Sequence, residues 1–123
     1  LSYRTYTPKR GDLIHLNFSP SSGHELADRH YAIVLSPESY NRRIRMAVVC
    51  GITSRVRGSS FEVALPDGLL PPKLNVGPVK SVILADAVKQ VDYRERECAF
   101  VASSPRYIVE EVLDKLLAVL EED

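Results

Sequence analysis

The sequence predicts a mainly β domain with helices, an α+β fold made of a small, strongly curved antiparallel sheet or partly closed barrel and a C-terminal helix. Three observations point there. Five or six short apolar runs rich in β-branched residues are separated by turn residues. One long amphipathic stripe stands at the C-terminal end and nowhere else. The 123 residues suit a single domain spanning 1–123, which can bury a core without disulfide or metal staples.

The elements follow in order. Gly11-Asp12 is turn chemistry ahead of a first strand over 13–18. Residues 19–28, with Pro20 and Gly23 as breakers, form a loop. The continuous run Ala32-Ile33-Val34-Leu35 marks a buried second strand over 31–35. Ser36-Pro37-Glu38 opens one helical turn with proline at its first position, ending around Asn41. A third strand covers 44–52, a basic loop 53–58 and a fourth strand 61–65. Residues 66–78 hold four prolines and two glycines and read as a long surface loop. A fifth strand over 79–85 and a short sixth over 88–91 follow, and residues 92–102 receive no element. Ser103 or Ser104 caps the last helix, with Pro105 in its first turn. Ile108, Val109, Val112, Leu113, Leu116, Leu117 and Leu120 form the stripe that faces the sheet.

The formal net charge is zero, but its distribution is uneven. Residues 1–60 carry nine Lys or Arg against four Asp or Glu, and residues 61–123 carry seven against twelve. The basic half includes Arg42, Arg43, Arg45, Arg55 and Arg57, a face able to attract a polyanion. No apolar run approaches the roughly 18 residues of a membrane span. No secretory signal is seen, so a cytoplasmic, reducing setting is expected, with Cys50 as a buried thiol. Neither the two cysteines nor His15, His24 and His30 follow a metal-ligand spacing, so no metal and no cofactor are expected.

The most informative stretch is Gly-Asp-Leu-Ile-His-Leu-Asn-Phe-Ser-Pro from Gly11 and its continuation to Ser36. Glu25, Asp28, Arg29 and His30 stand within it. A carboxylate, a guanidinium and an imidazole this close suit acid–base chemistry on a phosphate. Arginine offers a permanent charge with forked donors, and imidazole titrates near neutrality.

Laid side by side, these segments resemble the MazF/PemK family of toxin endoribonucleases. The resemblance rests on GDLIHLNFSPSSGHE, AIVLSPESYN, GITSRVRGSSFEV and LADAVKQVD, and on the terminal helix beginning Ser-Pro. They stand in the family's order over about 110 of the 123 residues. It implies an SH3-like barrel that dimerises and cleaves single-stranded RNA without metal, leaving 2′,3′-cyclic phosphate and 5′-hydroxyl ends. It also implies a cognate antitoxin that blocks the RNA channel.

Carried over by position, Glu25 matches the family's Gly-x-Glu carboxylate. Thr53 matches the catalytic threonine, with Gly51 where the family has proline. The family's arginine slot holds His30, followed by Tyr31 instead of proline, and Arg29 stands one residue earlier. A one-residue shift on a strand reverses the side-chain direction. Either Arg29 or His30 therefore fills the arginine's role, and which group is base and which acid stays open. Glu25, Arg29, His30 and Thr53 are the catalytic candidates. Ser54, Arg55, Arg57 and Lys89 are the substrate-binding candidates, and Tyr40, Phe61 and Tyr93 are aromatic platforms for unpaired bases. Ala87 stands where the family often has a glutamine expected to touch RNA. Two other readings compete: a non-enzymatic, CcdB-like toxin that binds DNA gyrase, and a barrel that binds RNA but is impaired in cleavage.

Overall fold

The chain folds as six strands and two helices: β1 (Asp12–Asn17), β2 (Arg29–Val34), α1 (Glu38–Ile44), β3 (Ala47–Thr53), β4 (Glu62–Ala64), β5 (Val82–Val91), β6 (Ala99–Ser103) and α2 (Arg106–Leu120). This is a computed structural model that describes residues 5–17, 29–71 and 80–122, with Arg29 described by its backbone. One open sheet has the order β4-β5-β3-β2-β1-β6, and every neighbouring pair is antiparallel. The expected α+β class, with a C-terminal helix on an antiparallel sheet of up to six strands, is the fold observed.

The three central strands are buried on both faces. On one face Leu13, Ile33, Cys50 and Ile83 pack against Ile108, Val109, Val112 and Leu116 of α2. On the other, Ile14, Leu16, Ala32, Val34, Ala47 and Val49 pack with Val91, Tyr93 and Cys98. A strand with two buried faces needs apolar side chains at both parities, so its sequence is an unbroken apolar run. Both cysteines are buried and unpaired. Burial, with Asp86 nearby, pushes the Cys50 thiol up to about 11. Burial, with Asp12 nearby, pushes Cys98 up to about 12.

Several boundaries move. The two runs read as separate strands over 79–85 and 88–91 form the single strand β5, which begins at Val82. Cys50 pairs with Val88 and Ile52 with Ile83, so two steps on β3 span five on β5. Asp86 and Ala87 fall in that bulge, and their break in the apolar pattern looked like a strand end. The sixth strand is instead β6, pairing with β1 across a second register shift. Helix α1 runs on to Ile44 with Pro37 at its N-cap and Arg45 at its C-cap in the left-handed region, φ 64°. This moves the start of β3 to Ala47. The fourth strand shrinks to three residues.

Neither serine caps α2. Pro105 occupies the N-cap, and the Ser104 hydroxyl donates to the Pro105 carbonyl at 3.3 Å. The α2 stripe is buried from Ile108 to Leu116. Leu117 and Leu120, at its C-terminal end, are 51% and 69% exposed.

Asn41 explains why the turn into α1 is fixed. It is fully buried. Its Nδ2 donates to the carbonyls of Pro8 at 2.8 Å and Ser36 at 3.0 Å, and its Oδ1 accepts from the Ser36 hydroxyl at 2.5 Å. Its own carbonyl accepts from the Tyr93 hydroxyl at 3.0 Å. Asn41→Leu keeps the volume but strands three buried polar groups. A loss of about 3 kcal/mol is expected. Urea unfolding would read it as a lower midpoint at unchanged slope; a loss below about 1 kcal/mol would show the network to be dispensable.

Candidate active site

On the face of the sheet opposite α2, Tyr93 and Cys98 cover one end, and among the described residues the other end is open. Leu16 pairs with His30, and both Gly51 and Val49 belong to this face by strand alternation. Around that open end lie two adjoining depressions of about 510 Å³ and about 330 Å³. His30, Tyr31, Ile52 and Thr53 line both. Ser54, Arg55, Arg57, Leu70, Pro71 and Ser81 complete the first. Val49, Gly51, Leu84, Ala87 and Lys89 complete the second.

Each polar group has a local reason for its place. Thr53 is the last residue of β3 and pairs with Val82 of β5, so the strand ladder fixes its backbone. Its Oγ1 accepts from the Arg55 backbone N–H at 3.0 Å. That bond uses an acceptor lone pair and leaves the hydroxyl hydrogen to donate to a bound anion. His30 stands on β2 and is exposed. Lys89 reaches the second depression from β5, opposite Val49. Gly51 adds room, since a Cβ there would meet nothing within 4 Å.

Six of the eight residues expected from sequence thus gather here: His30, Thr53, Ser54, Arg55, Arg57 and Lys89. Arg29 enters by its backbone, next to His30 and opposite Asn17 in the ladder. Glu25 lies outside the described residues. None of the described residues lining either depression is acidic, while three, Arg55, Arg57 and Lys89, are basic. Such a surface favours a polyanion by its field as well as by direct contacts. Among the described residues no three His, Cys, Asp or Glu side chains gather as a metal-binding group.

The aromatic expectations need correction. Tyr93 is 3% exposed and belongs to the core, so it has no free face for a base. Tyr40 is engaged by Gln90, whose Nε2 donates to its hydroxyl at 2.9 Å, and by Arg43, 5.9 Å over its ring. Neither Tyr40 nor Phe61 is among the described residues that line these two depressions. Tyr31 does, and sequence reasoning passed it over as ordinary strand material. Its position where the apolar run meets the polar loop was the available signal. Leu70 and Pro71, from the proline-rich loop, also reach the first depression. Arg42, Arg43 and Arg45 line neither, and Arg42 is paired with Glu38 at 2.8 Å.

Comparison with known proteins converges on one group. A family described as "PemK-like, MazF-like toxin of type II toxin-antitoxin system" matches residues 9–120. The chain is 37% identical over 95 residues to the endoribonuclease toxin MazF of Escherichia coli K12, covering 74% of each chain. It is 32% identical over 114 residues to the endoribonuclease toxin ChpB of the same strain, covering 92% of this chain and 94% of that one. Among solved structures, a MazE–MazF complex from Deinococcus radiodurans superposes with a TM-score of 0.78 at 35% identity, covering 96% of this chain and 99% of that one.

Proposed function

Since the chain belongs to the PemK-like, MazF-like toxin family of type II toxin–antitoxin systems, we propose that it is a single toxin domain that cleaves single-stranded RNA without a metal ion. The observation that carries this reading is the pair of adjoining depressions in which His30 and Thr53 stand among Arg55, Arg57 and Lys89, with no acidic side chain among the described lining residues.

Cleavage proceeds by attack of the ribose 2′-oxygen on the adjacent phosphorus. The P–O2′ bond forms and the P–O5′ bond breaks. A base takes the 2′-hydroxyl proton and an acid returns one to the leaving 5′-oxygen, giving a 2′,3′-cyclic phosphate and a 5′-hydroxyl. Extra negative charge develops on the non-bridging oxygens and must be met by fixed donors. Glu25 and His30 are the groups able to carry the proton transfers. Arg29 supplies positive charge that does not titrate, and Thr53 supplies a neutral donor. Arg55, Arg57, Ser54 and Lys89 hold the flanking phosphates. No described helix is long and apolar enough to cross a membrane, and RNA in the cytoplasm is the substrate this reading requires. A cognate antitoxin of the MazE kind and self-association into a dimer complete it, in keeping with the MazE–MazF complexes the chain resembles.

The test is incubation of the purified chain with a long unstructured RNA in excess EDTA at neutral pH, with primer extension to map the cuts. Cleavage at a short recurrent sequence, leaving ends that require phosphorylation before ligation, is expected. Intact RNA, or cleavage only on adding magnesium, would overturn the reading.

A further inference from the structure

The loop that follows Thr53 is held by side chains that take no part in the proposed chemistry. Residues 54–61 leave β3 and return as β4, and this segment carries Ser54, Arg55 and Arg57 to the first depression. Its middle is gripped by Glu62, the first residue of β4. One carboxylate oxygen of Glu62 accepts from the Arg57 N–H at 2.9 Å, and the other accepts from the Gly58 N–H at 3.0 Å. Gly58 has φ +80°, which allows the two successive N–H groups to converge on one carboxylate. The base of the loop is fastened by α2. Lys115 of α2 donates to the Ser60 carbonyl at 2.6 Å and to the Glu62 carbonyl at 3.2 Å.

We propose that Glu62 and Lys115 are positioning residues that set the affinity for RNA by holding loop 54–61 in the shape that presents Arg55 and Arg57 to phosphates. The inference rests on the ribonuclease reading. An untied loop would have to lose its conformational freedom at the moment of binding, and that cost would appear in affinity. The pairing with Val82 holds the Thr53 backbone whether or not the loop is tied, so the hydroxyl stays at the end of β3 and the bond-breaking step is expected to be preserved. The two residues act on capture of the substrate and leave its cleavage rate alone.

Electrostatics alone predicts the opposite sign, which makes Glu62→Gln a discriminating variant. Removing a negative charge beside two arginines should tighten RNA binding if charge were all that mattered. The latch predicts weaker binding, because an amide has one accepting oxygen and sets its NH2 against a backbone donor. KM is expected to rise roughly five- to tenfold, as for one or two lost charge-assisted hydrogen bonds, with kcat within about twofold. Lys115→Met should raise KM in the same way, and Lys115→Arg, which keeps charge and donors, should restore it.

Binding of a non-cleavable 2′-O-methyl RNA, read by fluorescence anisotropy, runs in parallel. A wild-type chain that binds this RNA without cutting ordinary RNA would defeat the ribonuclease reading and leave the latch testable by anisotropy. Wild-type cleavage with unchanged or tighter RNA binding in Glu62→Gln would defeat the latch alone, as would a loss confined to kcat. Circular dichroism checks the fold of each variant. If Glu62→Gln is unfolded, the comparison of Lys115→Met with Lys115→Arg decides, and equal KM values for those two would overturn the proposal.

Discussion

Thr53→Ala is expected to slow RNA cleavage about a hundredfold under single-turnover conditions, with RNA affinity little changed. Removing one preorganised donor from a developing oxyanion typically has an effect of this size. The ladder to Val82 fixes the Thr53 backbone, so the substitution removes the hydroxyl without moving the strand. The Arg55 N–H that loses its acceptor belongs to an exposed residue, and water replaces the bond at small cost to stability. Thr53→Ser keeps the hydroxyl at the same attachment and should retain most of the rate. Wild-type cleavage by Thr53→Ala would remove the residue from the reaction.

The second large effect separates His30 from Arg29. His30→Ala should lower kcat by roughly a hundred- to a thousandfold, the range for losing a general acid or base. It should also remove one limb of the pH–rate profile. Arg29→Ala should lower the rate by a similar order through lost charge stabilisation, but with the profile's shape intact, because guanidinium stays protonated throughout. Exchanging the two residues restores the family order and separates two outcomes. A gain in cleavage would identify the present arrangement as impaired; no gain, from an active wild type, would identify it as a working variant. A pH profile untouched by His30→Ala would exclude imidazole from proton transfer.

Much of this architecture is written in local patterns. The run over Ala32–Leu35 reads as a central buried strand, and the spacing from Ile108 to Leu116 reads as a helix with one face on the sheet. The departures occur where local chemistry and tertiary pairing disagree. Asp86 and Ala87 interrupt an apolar run and so imitate a turn, yet the pairing of β5 with β3 continues on either side of them. β6 is an edge strand with Ala99 and Phe100 exposed, and an edge strand needs no regular alternation to be stable. Leu117 and Leu120 continue the helical stripe, but periodicity carries no information on how far a sheet extends beneath it.

The site was legible to a different depth. Residue types chosen for phosphate chemistry, aligned by family order, located six of the eight lining residues expected. Tyr31 was hidden by its aromatic, strand-like character. Glu62 was hidden because a carboxylate binding backbone N–H groups leaves no trace in sequence that separates it from any other surface acid.

The double burial of the central strands divides the chain into parts that tolerate change very differently. A substitution at Ile33, Val49 or Cys50 must satisfy neighbours already in place, so these positions have little room to drift. Gly51 and Ala87 border the depression without belonging to either core, and a side chain added at Gly51 meets open space. Descendants of this chain can therefore reshape the floor of the groove, residue by residue, while inheriting the sheet unchanged. Substitutions at these two positions are expected to alter the nucleotides accepted at a smaller cost in stability than substitutions within either core.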